Sequence, residues 1–453
     1  MGASSTIILI SYILVLFAVG FVSKKKIQNA DDYTLGGRKM PWVLIAASIA
    51  ANDIGSGASL GIMQSAANGE GFSAIWYIWL MVPAYFVGML IAPIIRKTGA
   101  RTVSGFFGDR YGHWAQRISA LFMIVPNIGV ISINFTASAS VLSLLLGLSF
   151  PQALIVSLIA TSLYSYFGGI IADVCNDTIQ LVILLFGTCL TAMFIFMKTG
   201  YSLDVINNRF DIIGNYTISK GFSVFIVYAS TFIIGLSSTT RIYSSKSPKN
   251  IKKSILWLIP LYIVYAIVPV YIGSYLSGQY HNNFNTVNMV LECLHQQLPN
   301  YVFVFVSLGI IAASLSTVDT LLIGCSTLLV NDVINLKTDN RKTQLRFLRL
   351  FVLGFGVLGG IIAILGIKDV ISFLIFMLSI QTSALMIPFL YGHFCKKKIK
   401  ERGCLYCMAI SSIIFLLTSY YNIEFSIFTP FMFSIIGGCA CLFLMQSLPA
   451  KCK

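Results

Sequence analysis

Four aspartates lie inside long apolar runs of the sequence, and their side chains are the first candidates for chemistry. They are Asp53, Asp173, Asp177 and Asp319. A carboxylate within an apolar helix is costly unless it faces protein, water or an ion, so each one is a functional hypothesis. The alternative for any single aspartate is a structural hydrogen bond to a neighbouring helix.

Two clusters of hydroxyl side chains accompany these carboxylates. Residues 237–240 read SSTT, and residues 314–320 read SLSTVDT. Serine and threonine in apolar helices often serve only to pack closely or to bond the carbonyl one turn earlier. Several oxygens in one turn beside a carboxylate also suit a hard cation, which prefers oxygen ligands. A monovalent cation such as sodium needs few formal charges, and backbone carbonyls can supply the remaining ligands.

The segment 48–61 reads SIAANDIGSGASLG and places Asp53 beside Gly55 and Gly57 in the middle of an apolar run. Glycine weakens a helix and lets a ligand approach the backbone closely. Backbone that lacks helical partners is tolerated at membrane depth only where it meets protein or lines a cavity. The pattern therefore favours a helix broken over residues 52–57, with free carbonyls that bind a cation. The alternative is a glycine notch for helix packing.

Composition indicates which elements hold these groups. The 453 residues are 57% hydrophobic and 10% charged, whereas soluble domains carry about 25% charged residues. Most long segments contain an apolar run of about 20 residues, the length of a helix that crosses a bilayer, whereas barrel strands need only about 10. The sequence predicts an all-α polytopic membrane protein, with one transmembrane domain over residues 1–453. It has about 13 predicted spans, at 5–23, 41–66, 73–95, 118–146, 151–168, 172–197, 221–240, 254–276, 301–328, 347–366, 369–392, 403–421 and 425–447.

The net charge of +15 follows the predicted topology and does not indicate a nucleic-acid partner. Six clusters of Lys and Arg fall in alternate loops, at 24–39, 96–117, 241–253, 337–349, 396–402 and 451–453. The opposite side holds only Lys198, Arg209, Lys220 and Lys368. Because basic loops stay in the cytoplasm, the N-terminus is predicted outside and the C-terminus inside.

Neither the cysteines nor the histidines indicate a metal centre or an enzyme. The ten cysteines are scattered through the predicted helices, and the four histidines fall in loops or at span ends. An intramembrane enzyme would need a nucleophile and a base together in the membrane, and no histidine lies deep in a predicted span. We therefore expect no metal site beyond sodium and no enzymatic activity.

Four motifs, in the expected order and spread over nearly the whole chain, resemble the sodium:solute symporter family. That family includes the bacterial proline, pantothenate, sialic acid and galactose symporters. The motifs are YTLGGRKMPW followed by SIAANDIGSGASLG, then YSYFGGIIADVCNDTIQ, then TTRIYSSKSPKNIKKS, and finally IIAASLSTVDTLLIGCSTLLVNDV.

The resemblance implies a LeuT-type fold of two inverted five-helix repeats with extra helices. The first helix would be 5–23, the repeats 41–197 and 221–392, and the two C-terminal helices would fall within 403–447. The family's main sodium site carries over to the carbonyls of Ala51, Ile54 and Ala313 with the hydroxyls of Ser316 and Thr317. A second sodium site of some members carries over to Asp177 with Ser316 and Thr317. Asp173 departs from the pattern, which has a small residue there.

The function implied is sodium-coupled import of a small organic solute, amino acid-like or another small metabolite, by alternating access across a bacterial inner membrane. Candidate solute contacts are the polar residues in the predicted spans or at the break: Asp53, Ser56, Ser59, Asn134 and Gln381. Asp53 would suit either an amine on the solute or the ion. Two other functions stay open, which are proton coupling through Asp53 or Asp177 and a substrate sensor that does not transport.

Overall fold

A computed structural model describes residues 3–25, 27–28, 30–200, 217–279, 284, 286–336, 341–367, 369–395, 399–423 and 429–447. The helices in the first half of the chain are α1 (Ala3–Lys24), α2 (Ala30–Leu35), α3 (Trp42–Asp53), α4 (Ser56–Ser65), α5 (Trp76–Trp79), α6 (Met81–Lys97), α7 (Val103–Tyr111), α8 (His113–Leu146) and α9 (Phe150–Lys198). The second half contains α10 (Ile218–Ile234), α11 (Leu236–Ser244), α12 (Pro248–Tyr265), α13 (Ile267–Gln279), α14 (Val287–Gln297), α15 (Asn300–Leu328), α16 (Arg341–Ile364), α17 (Val370–Phe394), α18 (Glu401–Tyr420) and α19 (Pro430–Ser447).

The predicted all-helical membrane class is confirmed. Within the described residues, nine helices are long and apolar enough to cross a membrane, and the bent pair α10–α11 would make a tenth. This count is lower than the 13 predicted spans because Trp42–Asp53, Phe150–Leu163 and Pro430–Met445 are shorter apolar helices, and because Gly57–Lys97 contains parts of two spans. Residues 424–428, at the start of the last predicted span, and the basic residues 396–398 and 451–453 lie outside the described residues.

Two spans are broken in the middle. The first stops at Asp53 and resumes at Ser56, with Gly55 in an extended conformation (φ −54°, ψ 178°). The interruption predicted over residues 52–57 is therefore confirmed. The second break lies at Gly235, which is also extended, and the two halves α10 and α11 are bent by 42°. This second break was not predicted, although Gly235 lies two residues before the hydroxyl cluster of residues 237–240.

The core forms around α15. In the apolar window of Asn300–Val333, 89% of residues are buried, against 28% in the window of the first helix. Helix α15 packs most extensively against α9 and α8 and also meets the broken helix α3–α4. Large apolar side chains on the outer helices, such as Leu90 and Leu350, are exposed, as expected where lipid covers the surface. The hydroxyl cluster of residues 314–320 is therefore carried by the most enclosed helix.

A kink at Gly169 divides α9 between two predicted spans. Gly169 has φ +54° and ψ −163°, a backbone conformation that L side chains rarely adopt. A Cβ at this position would also lie 2.7 Å from the carbonyl oxygen of Tyr33. Both the backbone angle and the close approach of α2 therefore require glycine.

We expect Gly169→Ala to lower the free energy of unfolding by about 1–3 kcal/mol because it forces a strained backbone conformation. The matched control is Gly354→Ala in α16, where a Cβ meets nothing within 4 Å and a helical alanine stabilises by about 0.5–1 kcal/mol. Thermal unfolding of the purified protein in detergent compares the two. Equal midpoints for the two variants would contradict this account of the kink.

Candidate cation and solute site

The break in the first core helix brings backbone carbonyls of α3 to the hydroxyl side chains of α15. The last carbonyls of a helix have no helical partners. Here the Ser316 hydroxyl lies 3.1 Å from the carbonyl oxygen of Ala51, and the Thr317 hydroxyl lies 3.4 Å from that of Asn52. The same hydroxyls lie 3.0 and 3.3 Å from the carbonyl oxygen of Ala313 in their own helix.

Glycine at position 55 permits this approach. A Cβ on Gly55 would lie 2.6 Å from the Thr317 hydroxyl oxygen and 3.3 Å from the carbonyl oxygen of Ala313. The result is a cluster of five oxygens, which we call the oxygen cluster, formed by the carbonyls of Ala51, Asn52 and Ala313 and the hydroxyls of Ser316 and Thr317. These oxygens carry no formal charge. Oxygen is the ligand that hard cations prefer, and an uncharged set of oxygens suits a monovalent one.

The oxygen cluster differs from the predicted sodium ligands at one position. The Ile54 carbonyl accepts a hydrogen bond from the Ser59 hydroxyl at 2.6 Å, whereas the Asn52 carbonyl faces Thr317. Which carbonyl meets α15 depends on how the two helices cross, and the sequence carries no signal for that. Ser59 is fully buried and also hydrogen-bonds the hydroxyl of Tyr265 at 2.8 Å. Ser59 therefore braces the break and, contrary to expectation, does not line the cavity described next.

A cavity of about 120 Å³ lies beside the oxygen cluster, between the break and helices α6, α8, α10, α11, α15 and α17. Asp53, Asn134 and Gln381 line it, as the sequence analysis predicted for solute contacts. Asn52 and Thr317 line it as well and thereby belong to both the cavity and the oxygen cluster. Ser56 begins α4, but its side chain lies outside the described residues.

Polar side chains in the cavity wall hold the second break in place. Gln381 of α17 donates a hydrogen bond of 3.2 Å to the carbonyl of Ile234, the last residue of α10. Gln381 also accepts a hydrogen bond from Asn127 of α8 at 3.1 Å. Asn134 donates to the carbonyl of Val130 in its own helix at 2.8 Å. Asn127, which also lines the cavity, was not among the predicted solute contacts.

Arg241 forms a buried ion-pair cluster next to the broken helix. Its guanidinium lies 2.8 Å from Asp173 and 2.8 Å from Asp177, and all three side chains are at most 1% exposed. It also donates to the hydroxyl of Ser48 at 2.8 Å, and that hydroxyl in turn donates to Asp177. Arg241 was predicted to lie in a basic loop, and this prediction is wrong, because it is a fully buried residue of α11. Asp173, which had no predicted role, is a counter-ion of Arg241.

Asp177 was predicted as a ligand of a second sodium ion together with Ser316 and Thr317. Among the described residues, no hydrogen bond joins Asp177 to either hydroxyl, and one oxygen of Asp177 is instead bonded to Arg241 and to Asn52, the latter at 3.2 Å. Asp173, Asp177 and Asp319 each have one carboxylate oxygen that lies within 4.8 Å of those of the other two. Three carboxylates and one guanidinium sum to a formal charge of −2, which favours an additional cation or proton beside them.

We expect Arg241→Met to lower the free energy of unfolding by about 3–5 kcal/mol, because it leaves two buried carboxylates without their counter-ion. The matched control is Arg101→Met, which breaks a 3.0 Å pair with Asp31 between side chains that are 62% and 50% exposed. Such a surface pair contributes about 0–1 kcal/mol. Thermal unfolding of both purified variants measures the difference. If Arg241→Met unfolds at the same temperature as the control, the ion-pair cluster does not support the fold as described.

The described residues thus form a helical membrane protein in which two broken helices and one buried central helix surround a cavity and a cluster of uncharged oxygens. The model of the "Sodium:solute symporter family" matches residues 33–411, and the chain belongs to this family. The predicted resemblance is confirmed.

Individual relatives differ in how much of the chain they match. The sodium/pantothenate symporter of Escherichia coli (strain K12) is 22% identical, over 94% of this chain and 93% of that protein. The sodium/proline symporter of the same organism is 26% identical, over 73% and 71%. "Solute carrier family 5 member 4A" of Mus musculus is 30% identical, over 44% of this chain and 31% of that protein. The matched region thus spans about a third of the mammalian relatives.

Two solved structures show the same fold. A Na⁺-coupled sialic acid symporter in a substrate-bound outward-open state covers 98% of this chain and 96% of its own, with a TM-score of 0.85 at 18% identity. Mhp1, a nucleobase-cation-symport-1 family transporter, covers 92% and 94% with a TM-score of 0.63 at 11% identity. The predicted LeuT-type fold is confirmed.

Proposed function

We propose that this chain is a sodium-coupled secondary symporter that imports a small organic solute by alternating access. The observation that carries the proposal is that Asn52 and Thr317 line the solute-sized cavity and also belong to the oxygen cluster. Two ligands that share side chains and backbone in this way bind cooperatively, because each one orders groups that the other contacts. The names of the E. coli relatives, which couple sodium to pantothenate and to proline, support the same function.

Sodium would bind among the five oxygens of the oxygen cluster. It would replace the weak hydrogen bonds between the hydroxyls and the carbonyls, and it would tie the end of α3 to α15. The cavity wall at Asn52 and Thr317 would then be held in the shape that the solute requires. The inward movement of one positive charge down the membrane potential contributes about 2.3 kcal/mol per 100 mV to transport. At about 100 mV this energy supports roughly a 50-fold solute gradient, before the sodium gradient is counted.

Release on the opposite side would pass Leu236, the first residue of α11. Leu236 lines both the central cavity and a smaller cavity that is also lined by Thr240 and Gly324. A Cβ on Gly324 would lie 2.6 Å from the Leu236 side chain, so this leucine is packed against the backbone of α15. Movement of α11 relative to α15 would connect the two cavities, and only the second break allows α11 to move apart from α10.

We assign residues 41–197 and 221–392 to two inverted repeats, with 5–23 before them and the helices of 403–447 after them. Each repeat opens with a broken helix, and the Ser237 hydroxyl of the second donates to the Asn52 side chain of the first at 3.1 Å. Alternation of the basic loops supports an outside N-terminus and a cytoplasmic C-terminus. The bacterial relatives support the inner membrane as the location.

A second sodium ion at Asp177 is a further candidate, supported by the formal charge of −2 on the cluster of three aspartates and Arg241. The alternative is that a proton binds at the same cluster, and transport would then be coupled to protons. Uptake into proteoliposomes driven by a sodium gradient at equal pH, compared with a proton gradient without sodium, separates the two. Uptake that needs only the proton gradient would contradict the proposed sodium coupling, and absence of solute counterflow would indicate a sensor.

Thr317→Ala removes one sodium ligand, and we expect the half-saturating sodium concentration to rise about 10- to 100-fold, since a hydroxyl bound to a charge contributes about 1.5–3 kcal/mol. Sodium binding is measured directly by thermal stabilisation in sodium chloride against potassium chloride. The matched control is Ser314→Ala in the same helix, whose buried hydroxyl has the Ile310 carbonyl, at 2.9 Å, as its one partner among the described residues. Equal sodium dependence in the two variants would show that the oxygen cluster is not the sodium site.

A further inference from the structure

The charge of the cavity wall points to the class of solute. Among the described residues that line the central cavity, Asp53 is the one acidic side chain, and none is a lysine, an arginine or a histidine. The nearby guanidinium of Arg241 is fully buried and engaged with Asp173 and Asp177. The wall therefore presents a carboxyl group to the solute and, among the described lining residues, no side-chain cation.

The carboxylate of Asp53 is directed away from the oxygen cluster. It accepts a hydrogen bond at 2.8 Å from the hydroxyl of Tyr262 in α12. The Tyr262 hydroxyl lies in turn 3.3 Å from that of Tyr85 in α6. The oxygen cluster, in contrast, lies toward α15. The proposed sodium site thus consists of uncharged oxygens on one side of the break, and Asp53 lines the cavity on the other.

Three aromatic rings complete the cavity wall on the side of Asp53, namely Tyr85, Tyr228 and Phe232. The ring centroids of Tyr85 and Phe232 are 4.5 Å apart. Phe232 is held in place by Gly88 of α6, since a Cβ on that glycine would overlap the ring. Aromatic faces attract cations through the negative charge of the ring surface, and quaternary ammonium groups are commonly bound this way.

We propose that the transported solute carries a substituted ammonium group, which binds between the carboxylate of Asp53 and the rings of Tyr85, Tyr228 and Phe232. This inference rests on the proposed function and names its solute class. Solutes that are purely anionic, and neutral solutes such as sugars, lack the group that this wall attracts. A zwitterion qualifies, because its ammonium group meets the same partners.

The test is thermal stabilisation of the purified full chain by a solute panel, in sodium chloride and in potassium chloride. The decisive pair is choline and its neutral isostere 3,3-dimethylbutan-1-ol, which differ in charge and little in shape. Glycine betaine and L-proline extend the ammonium class, while glucose, pantothenate and sialic acid represent neutral and anionic solutes. We expect stabilisation in sodium by at least one ammonium solute, and none by the neutral isostere.

Variants assign the effect to the named groups. Asp53→Asn should weaken binding of the ammonium solute by about tenfold or more, and the matched control Asp31→Asn neutralises an exposed carboxylate and should leave it unchanged. Tyr228→Leu should weaken binding by about fivefold, whereas Tyr228→Phe keeps the ring and should bind nearly as well as wild type.

The outcomes separate this inference from the proposed function. Sodium-dependent binding of a sugar or an anion in preference to every ammonium solute would overturn the solute class and leave sodium symport standing. Equal binding by wild type and Asp53→Asn would overturn it as well. If neither sodium chloride alone nor any solute in sodium chloride stabilises the protein, the proposed function itself is overturned.

Discussion

The structure depends on one constraint: backbone carbonyls inside an apolar core must have partners. At the end of α3 the chain leaves the helical path, and the carbonyls of Ala51 and Asn52 would be left unsatisfied in an apolar environment. The hydroxyls of Ser316 and Thr317 reach them only because position 55 has no side chain. This contact joins the end of α3 to α15, the most enclosed helix, and brings five uncharged oxygens together.

Asn52 links this contact to the rest of the core. Its carbonyl belongs to the oxygen cluster, its amide nitrogen donates to Asp177, and its side-chain oxygen accepts from Ser237 of the second broken helix. The oxygen cluster is therefore connected through hydrogen bonds both to the buried charges around Arg241 and to α11. The two broken helices and the ion-pair cluster form one connected polar network inside an apolar protein.

Family membership and fold do not name the solute. Relatives that match most of this chain are named for pantothenate and for proline, and a fold hosts many functions through its sites. The cavity wall is more informative, because one carboxyl group lies beside aromatic rings and no cationic side chain lies among the described lining residues. In the proposed function, the chemistry of that wall, more than the fold, selects the solute.

The sequence by itself determined the membrane class, the broken first core helix, the family and most of the residues whose oxygens form the oxygen cluster. These features rest on local composition, since apolar run length sets a span, and glycine beside a carboxylate within such a run indicates a break. The tertiary structure decided that Asn52 supplies a carbonyl to the oxygen cluster, that Ser59 braces the break, and that Arg241 is buried as the partner of Asp173 and Asp177. It also assembled the aromatic wall around Asp53 from helices distant in sequence. These outcomes depend on how helices cross and which side chains meet, and a basic residue at the end of an apolar run has the same local pattern whether it faces the cytoplasm or a buried carboxylate.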